Sequence, residues 1–278
     1  MENVRGKKLS LQKPLIMGIL NVTPDSFSDG GKFKSTEEAV EHALKMVQEG
    51  ADIIDIGGES TGPGSKDVVE KEELERVLPV IEGLRKKSDV WISVDTYKAE
   101  VARHALEKGV DMVNDVTALR GDEKMVSVLA EYDVPIVIMY AKDPTARTTR
   151  EAKNYDDVVK TVHHFLVERL DFGVRNGIRK DRFILDPGMG AFVSSDSKYS
   201  LQLLKRLDEF KDMGLPILVG ASRKGFIGEI LKTKVQERLE GSLACAAVAL
   251  MNGASILRVH DVQETRRVAD MVHAIMTS

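Results

Sequence analysis

The residues of this 278-residue chain best suited to chemistry recur at intervals, each at or just beyond the end of a short apolar run. Asn21 follows Leu15 to Leu20, and Asp55 and Glu59 belong to 52–59. Asp95 follows Val90 to Val94, Asn114 and Asp115 close 111–115, and Met139 closes 135–139. Asp186 closes 182–186, Ser222, Arg223 and Lys224 follow 216–220, and Arg258 and His260 close 255–260. Asp95, Asn114 and Asp186 offer acceptors and an amide, a set that suits a flat heterocycle with several N–H and ring-nitrogen positions. A carboxylate among them requires a donor or cationic partner if it is buried. Lys224, Arg258 and His260 concentrate positive charge near the last two runs, where a phosphate fits. Asn21 is a hard oxygen donor of the kind Mg²⁺ accepts beside waters and substrate phosphates. Taken singly, a strand-end Asp or Asn is an ordinary turn or cap residue. Repetition along the chain is what points to a shared site.

Such a site requires elements that bring the run ends together. Each run has strand length and is followed by helical periodicity: Ser35 to Glu49, Glu70 to Lys87, Ala99 to Lys108, Asp122 to Tyr132, Asp156 to Asn176, Tyr199 to Asp212, Phe226 to Leu231 with Glu237 to Asn252, and Val262 to Met276. Gly50-Ala-Asp-Ile-Ile-Asp55, Gly109-Val-Asp-Met-Val-Asn114 and Gly253-Ala-Ser-Ile-Leu-Arg258 repeat one pattern of helix stop, short turn and polar-ended strand. Eight βα units without a composition break predict an α/β protein with a single (β/α)8 TIM barrel over residues 1–278, with the polar ends on one rim. An open doubly wound sheet would carry G-x-G-x-x-G after the first strand, and none is present. Residues Tyr140 to Asn154 are long, polar and basic and read as a mobile loop.

Composition excludes several classes. With 40 Lys+Arg against 44 Asp+Glu, the net charge of −4 argues against a general nucleic-acid binder. The lone Cys245 permits no intramolecular disulfide and no cysteine zinc cluster. It reads as a buried small residue at a helix interface. The N-terminus has no apolar signal core, and the longest apolar runs are shorter than a membrane helix. A cytoplasmic protein without membrane or nucleic-acid partners is expected.

Six motifs then carry a resemblance. Gly18-Ile-Leu-Asn-Val-Thr-Pro-Asp-Ser-Phe-Ser-Asp-Gly-Gly31, Gly57-Gly-Glu-Ser-Thr61, Ser93-Val-Asp-Thr96, Leu185-Asp-Pro-Gly188, Ser222-Arg-Lys224 and Arg258-Val-His-Asp261 resemble, in order and spacing, the signatures of the dihydropteroate synthase family of pterin-binding proteins. The resemblance implies a transferase of folate synthesis that joins dihydropterin diphosphate to 4-aminobenzoate. It implies a pterin held by Asp95, Asn114, Asp186 and Lys224 with Met139 nearby. Diphosphate and Mg²⁺ fall to Asn21, Arg258 and His260, with Asn21 as the metal ligand. Aminobenzoate sits near Phe27, Pro63, Ser222 and Lys224, and Thr61 joins the substrate contacts. The catalytic set is Asp95, Lys224, Arg258 and His260. Loops 23–32 and 59–64 close over the site, and the family suggests a homodimer.

Three departures lie near that rim. Gly62 stands where the family has an arginine that reaches the diphosphate, Tyr140 stands where it has histidine, and Met189-Gly-Ala-Phe192-Val193 replaces its aromatic and Gly-Lys pattern. They lead to the expectation of reduced sensitivity to sulfonamide mimics of aminobenzoate. Two rivals stand beside it: a pterin-binding methyltransferase domain on the same fold, which Ser222-Arg-Lys224 and Asp25-Ser-Phe27 disfavour, and a non-catalytic or degenerate pterin-binding protein, which Gly62 favours and the retained Asn21, Asp95, Asp186, Lys224, Arg258 and His260 disfavour.

Overall fold

The computed structural model describes residues 6–23 and 36–278. Phe27, the rest of the expected first loop and the expected cap Ser35 lie outside the described residues. In chain order the elements are β1 (Leu15–Asn21), α1 (Thr36–Gln48), β2 (Ile53–Gly57), α2 (Glu70–Lys87), β3 (Trp91–Asp95), α3 (Ala99–Glu107), β4 (Met112–Asp115), α4 (Met125–Glu131) and β5 (Ile136–Met139). They continue with α5 (Val158–Arg175), β6 (Phe183–Asp186), α6 (Ser197–Lys205), β7 (Leu218–Val219), α7 (Gly225–Leu231), α8 (Leu239–Met251), β8 (Ile256–Val259) and α9 (Val262–Thr277).

The strands pair in parallel in the order β6-β5-β4-β3-β2-β1-β8-β7, and a parallel bridge between Leu185 and Ile217 joins the two ends. The result is a single (β/α)8 barrel. The glycine repeat supplies its corners: Gly50, Gly109 and Gly253 have φ of +105°, +88° and +106°, a left-handed backbone that reverses the chain from helix into strand.

Alternation along the strands produces the polar rim. Leu15, Met17, Ile53, Trp91, Met112, Val137, Ile184, Leu218 and Ile256 point to the axis and, with Leu9, form one buried cluster that plugs the base. The intervening residues, among them Ile16, Ile54, Ile92, Val113, Ile138 and Leu257, face the helices. Two residues beyond the plug the inward rows turn polar at Asp55, Ser93, Asn114, Asp186 and Arg258. Pairing of Asp55 with Ser93, Asp95 with Asn114, Met139 with Asp186, and Met17 with Arg258 fixes their levels. A slip of one residue would send this set outward.

Three helices depart from the expected bounds, two of them where a side-chain contact intervenes. The stretch 199–212 breaks at Arg206, with α6 ending at Lys205 and a tighter turn running over Leu207–Met213. Asn252 Nδ2 donates to Leu204 O at 2.7 Å, satisfying a carbonyl that a continuous helix would have used. Helix α4 starts at Met125 because Asp122 is engaged as an acceptor, from Ala99 N at 2.9 Å and from Lys124 N at 2.9 Å. Helix α8 begins at Leu239, after a separate turn at Val235–Glu237. None of the described helices is long and apolar enough to cross a membrane.

Candidate active site

The rim is organised on Arg258. Its Nε donates to Asp55 Oδ2 at 2.6 Å and its Nη2 to Asp95 Oδ2 at 2.5 Å. Asn114 Nδ2 donates to the same Asp55 oxygen at 3.0 Å. Asp55 is fully buried and serves as the floor, orienting Arg258 and Asn114 together. Sequence left open whether Asp55 or Glu59 belonged to the rim; Asp55 does, while Glu59 pairs with Lys98 and Arg147 in a separate cluster. Asp55 Oδ1 and the neighbouring Ser93 Oγ are buried without a bond among the described residues, which leaves acceptor capacity in the floor.

Asp186 closes β6 and accepts from Gly188 N at 2.8 Å across a tight turn. Gly188 has φ of +72°, and a Cβ there would stand 2.4 Å from Tyr140 O, so only glycine fits. Lys224 leads into α7, its Nζ 4.8 Å from the centre of the Phe192 ring. Phe192 also packs against Val116, Met139 and Ala141, giving the rim an apolar wall. Met139, expected beside the pterin, lies in this wall at the end of β5. Phe192 was visible in the sequence only as part of a divergent segment.

Ser222 Oγ accepts from His260 N at 3.2 Å and lies 3.0 Å from His260 Nδ1, so this hydroxyl fixes the imidazole at the rim. Asn21, Ser222, Lys224, Arg258 and His260 line one cavity of about 150 Å³ with Ile19 and Gly220. Thr61 and Pro63 lie apart on the loop after β2, where Pro63 lines a second cavity of about 660 Å³ with Thr23, Gly62 and Arg76. A larger groove of about 740 Å³ runs along α5 on the outside of the barrel, lined by His163 and Asp212, with no strand-end residue in it.

Two rim candidates proved structural. Asp115 accepts from Thr117 N at 2.8 Å, Thr117 Oγ1 at 2.6 Å and Leu119 N at 2.7 Å, the turn role that a strand-end Asp commonly has. Arg223 forms a bidentate pair with Asp261, through Nε at 2.8 Å and Nη2 at 2.5 Å. The segment 140–154 is also more constrained than its composition suggested: Lys142 N donates to Phe192 O at 2.8 Å, and Thr148 Oγ1 to Ala191 O at 2.8 Å.

Enclosure shapes the charges. Burial raises Asp95 to about 7 against the pull of Arg258, and raises Asp186 to about 6 against the Gly188 N–H. Burial lowers Lys224 to about 8 although Asp186 favours its charge. Burial also works against the Arg258 charge, but Asp55 and Asp95 outweigh it and hold this guanidinium above the ordinary arginine range. Acids held high and a lysine held low on one barrel rim are what a functional site characteristically contains.

Comparison with known proteins agrees. Residues 17–260 match the family described as pterin binding enzyme. The chain is 45% identical over 274 residues to dihydropteroate synthase of Escherichia coli (strain K12), covering 99% of this chain and 96% of that one. It superposes on a Yersinia pestis dihydropteroate synthase with a sulfonamide drug complex with a TM-score of 0.94 and 41% identity, covering 100% of this chain and 99% of that one. A Xanthomonas albilineans dihydropteroate synthase with 4-aminobenzoic acid gives 0.91 and 44%, covering 99% and 97%. With residues 17–260 matching that family and relatives of this identity covering nearly the whole length, the chain belongs to the dihydropteroate synthase family of pterin-binding enzymes.

Proposed function

We propose that residues 1–278 act as one pterin-binding domain that condenses 6-hydroxymethyl-7,8-dihydropterin diphosphate with 4-aminobenzoate, giving 7,8-dihydropteroate and diphosphate in folate synthesis. One observation supports this beyond family membership. The rim separates acceptors over β3, β4 and β6 (Asp95, Asn114, Asp186), with Lys224 facing them from beyond β7, from donor groups at the end of β8 (Arg258, His260), and Arg258 bridges to Asp95 at 2.5 Å. A heterocycle fits the first set and its diphosphate the second.

Asp95, Asn114, Asp186 and Lys224 hold the pterin against Met139 and Phe192. As the methylene C–O bond breaks, its electrons leave with the diphosphate and positive charge spreads into the pterin. Ionised Asp95 stabilises that charge, while Arg258 and His260 stabilise the departing oxygens. Substrate therefore draws on both partners of the Arg258–Asp95 pair, and the Asp55 bond to Nε keeps Arg258 in place during the exchange. The aryl amine, neutral because its conjugate acid is already acidic, attacks the methylene carbon, and the proton it then sheds passes to the departing diphosphate or to water without a strong base. Thr61, Pro63, Ser222 and, in the first loop, Phe27 form the aminobenzoate side, where exclusion of water protects the cation.

The donor set also suits Mg²⁺. Asn21 is exposed at the end of β1 beside the cationic cavity, and no group of three His, Cys, Asp or Glu side chains among the described residues could hold a metal unaided. Asn21 would hold the ion in company with diphosphate oxygens, and the ion supplies charge neutralisation of the leaving group. The chain works as a cytoplasmic homodimer in this reading. Exposed Leu201, Ile230, Leu231, Val248 and Met251 on α6, α7 and α8, which pack together, offer an apolar face for the second copy.

Incubation with dihydropterin diphosphate, Mg²⁺ and 4-aminobenzoate tests the reaction: dihydropteroate is expected, and folded protein that forms none overturns it, leaving pterin binding alone or methyl transfer. Phe192 against Lys224, together with Gly62, alters the aminobenzoate side, so sulfonamides are expected to inhibit about tenfold more weakly relative to the aminobenzoate KM than in a relative with the usual arginine. Superposable inhibition curves would remove that part of the proposal.

A further inference from the structure

The loop after β2 has little packing of its own. A Cβ on Gly62 would find only Ser60 Oγ within 4 Å, at 3.6 Å, and one on Gly64 would find nothing. Its support comes from the loop after β5. Arg147 reaches Glu59 and Asp67 with its guanidinium and donates from Nη2 to Lys66 O at 2.8 Å. The next residue, Thr148, donates its N–H to Thr61 O at 3.1 Å and its hydroxyl to Ala191 O at 2.8 Å. Two consecutive residues thus fasten together the rim loops that follow β2, β5 and β6.

From this geometry we infer that Arg147 is a positioning residue for the aminobenzoate side of the site, an inference that rests on the reaction proposed above. The Glu59 contact is the one with consequence. The Glu59 side chain is 3% exposed, so its attraction for Arg147 is poorly screened. The Asp67 side chain is 88% exposed, and a pair of that kind contributes little. The role is also separable from fold stability. Without Arg147, Glu59 still accepts from Tyr97 Oη at 3.2 Å and pairs with Lys98, but Lys98 also serves buried Glu73, so some stability is lost and the kinetics of the folded protein are the readout that isolates positioning. What loses its anchor is the glycine-rich segment 60–66, including Thr61 and Pro63. The deeper pterin residues, Asp95, Asn114, Met139 and Asp186 at strand ends and Lys224 before α7, share no hydrogen bond or ion pair with Arg147.

Arg147→Ala is expected to raise the KM for 4-aminobenzoate about tenfold with kcat within threefold, and to speed amide exchange over residues 60–66 while β2 is unchanged. The Kd for 6-hydroxymethylpterin, the probe for the deep pocket, is expected to stay within twofold. Arg147→Lys, which keeps the charge but not the fork, is expected to fall between, and Asp67→Ala to resemble the wild type. An unchanged aminobenzoate KM in Arg147→Ala overturns the positioning role, as does a fall in thermal stability with normal kinetics of the folded protein. A wild-type chain that forms no dihydropteroate overturns the reaction itself, whereas an active wild type with an indistinguishable variant removes only the role of Arg147.

Discussion

Asp95→Asn is expected to lower kcat/KM by about 10²–10³-fold, the range seen when one preorganised electrostatic group is taken from a reacting centre. The substitution preserves shape and most hydrogen-bonding capacity, so it isolates the charge. Two consequences of losing that charge act together. The cationic methylene loses the carboxylate nearest to it in the proposed reaction. Arg258 also loses the charge of one of its two carboxylate partners: an amide oxygen can still accept from Nη2, but only Asp55 remains to neutralise the guanidinium. The pH profile separates Asp95 from a passive contact. Burial sets its carboxyl at about 7, so in the wild type the active ionised form is lost as pH falls below about 7. That acid limb is expected to disappear in Asp95→Asn, whose residual rate no longer depends on this ionisation. Turnover within twofold of the wild type, or retention of the acid limb, would show that the carboxylate has another role.

What the sequence disclosed is what two short periods disclose. A strand exposes every second residue to the axis, and a barrel places all strand ends at one rim. Apolar Met17, Ile53 and Ile256 followed by polar Asp55 and Arg258 were therefore legible as a plugged base and a working rim. The first missing part concerned partners distant in sequence. Arg258 and Asp55 are 203 residues apart and Arg147 and Glu59 are 88 apart, and neither pair has a local signal. Cross-element capping was equally hidden, as at Arg206, where an amide on α8's flank ends α6. Asp115 misled for the opposite reason: it has the composition of a rim residue and the bonds of a turn residue. The basic composition of 140–154 suggested solvent, whereas Arg147 spends its charge on carboxylates across the rim.

Lys224→Met is expected to lower kcat/KM about 10²–10³-fold and, at the same time, to make the fold more stable at neutral pH. The sign follows from linkage. Burial is the largest influence on Lys224 and takes it from 10.5 to about 8, even with the attraction of Asp186 included. Charged Lys224 is therefore a net burden on the folded state, corresponding to roughly 3 kcal/mol at about 1.4 kcal/mol per pH unit. That burden is fully present below about 8, where both folded and unfolded chains carry the charge. It declines as pH rises from about 8 toward 10.5, because the folded chain gives up its proton first. The carboxylates contribute the mirror image. Asp95 and Asp186 are raised from 3.8 to about 7 and about 6, so their protonated forms favour the fold below about 4, and this support is lost as pH rises through 6 to 7. The charges of the rim thus work against the fold most strongly near pH 7 to 8, where the reaction requires ionised Asp95 and protonated Lys224. Such opposition is expected of a site whose charges are neutralised by substrate rather than by one another. Methionine keeps the contact with Phe192 and removes the charge. Urea unfolding at pH 7 should give a higher midpoint for Lys224→Met, with the gain shrinking toward pH 10.5. A lower midpoint at pH 7, or a gain that grows as pH rises from 8, would mean that Lys224 is paid for within the fold by its carboxylate neighbours.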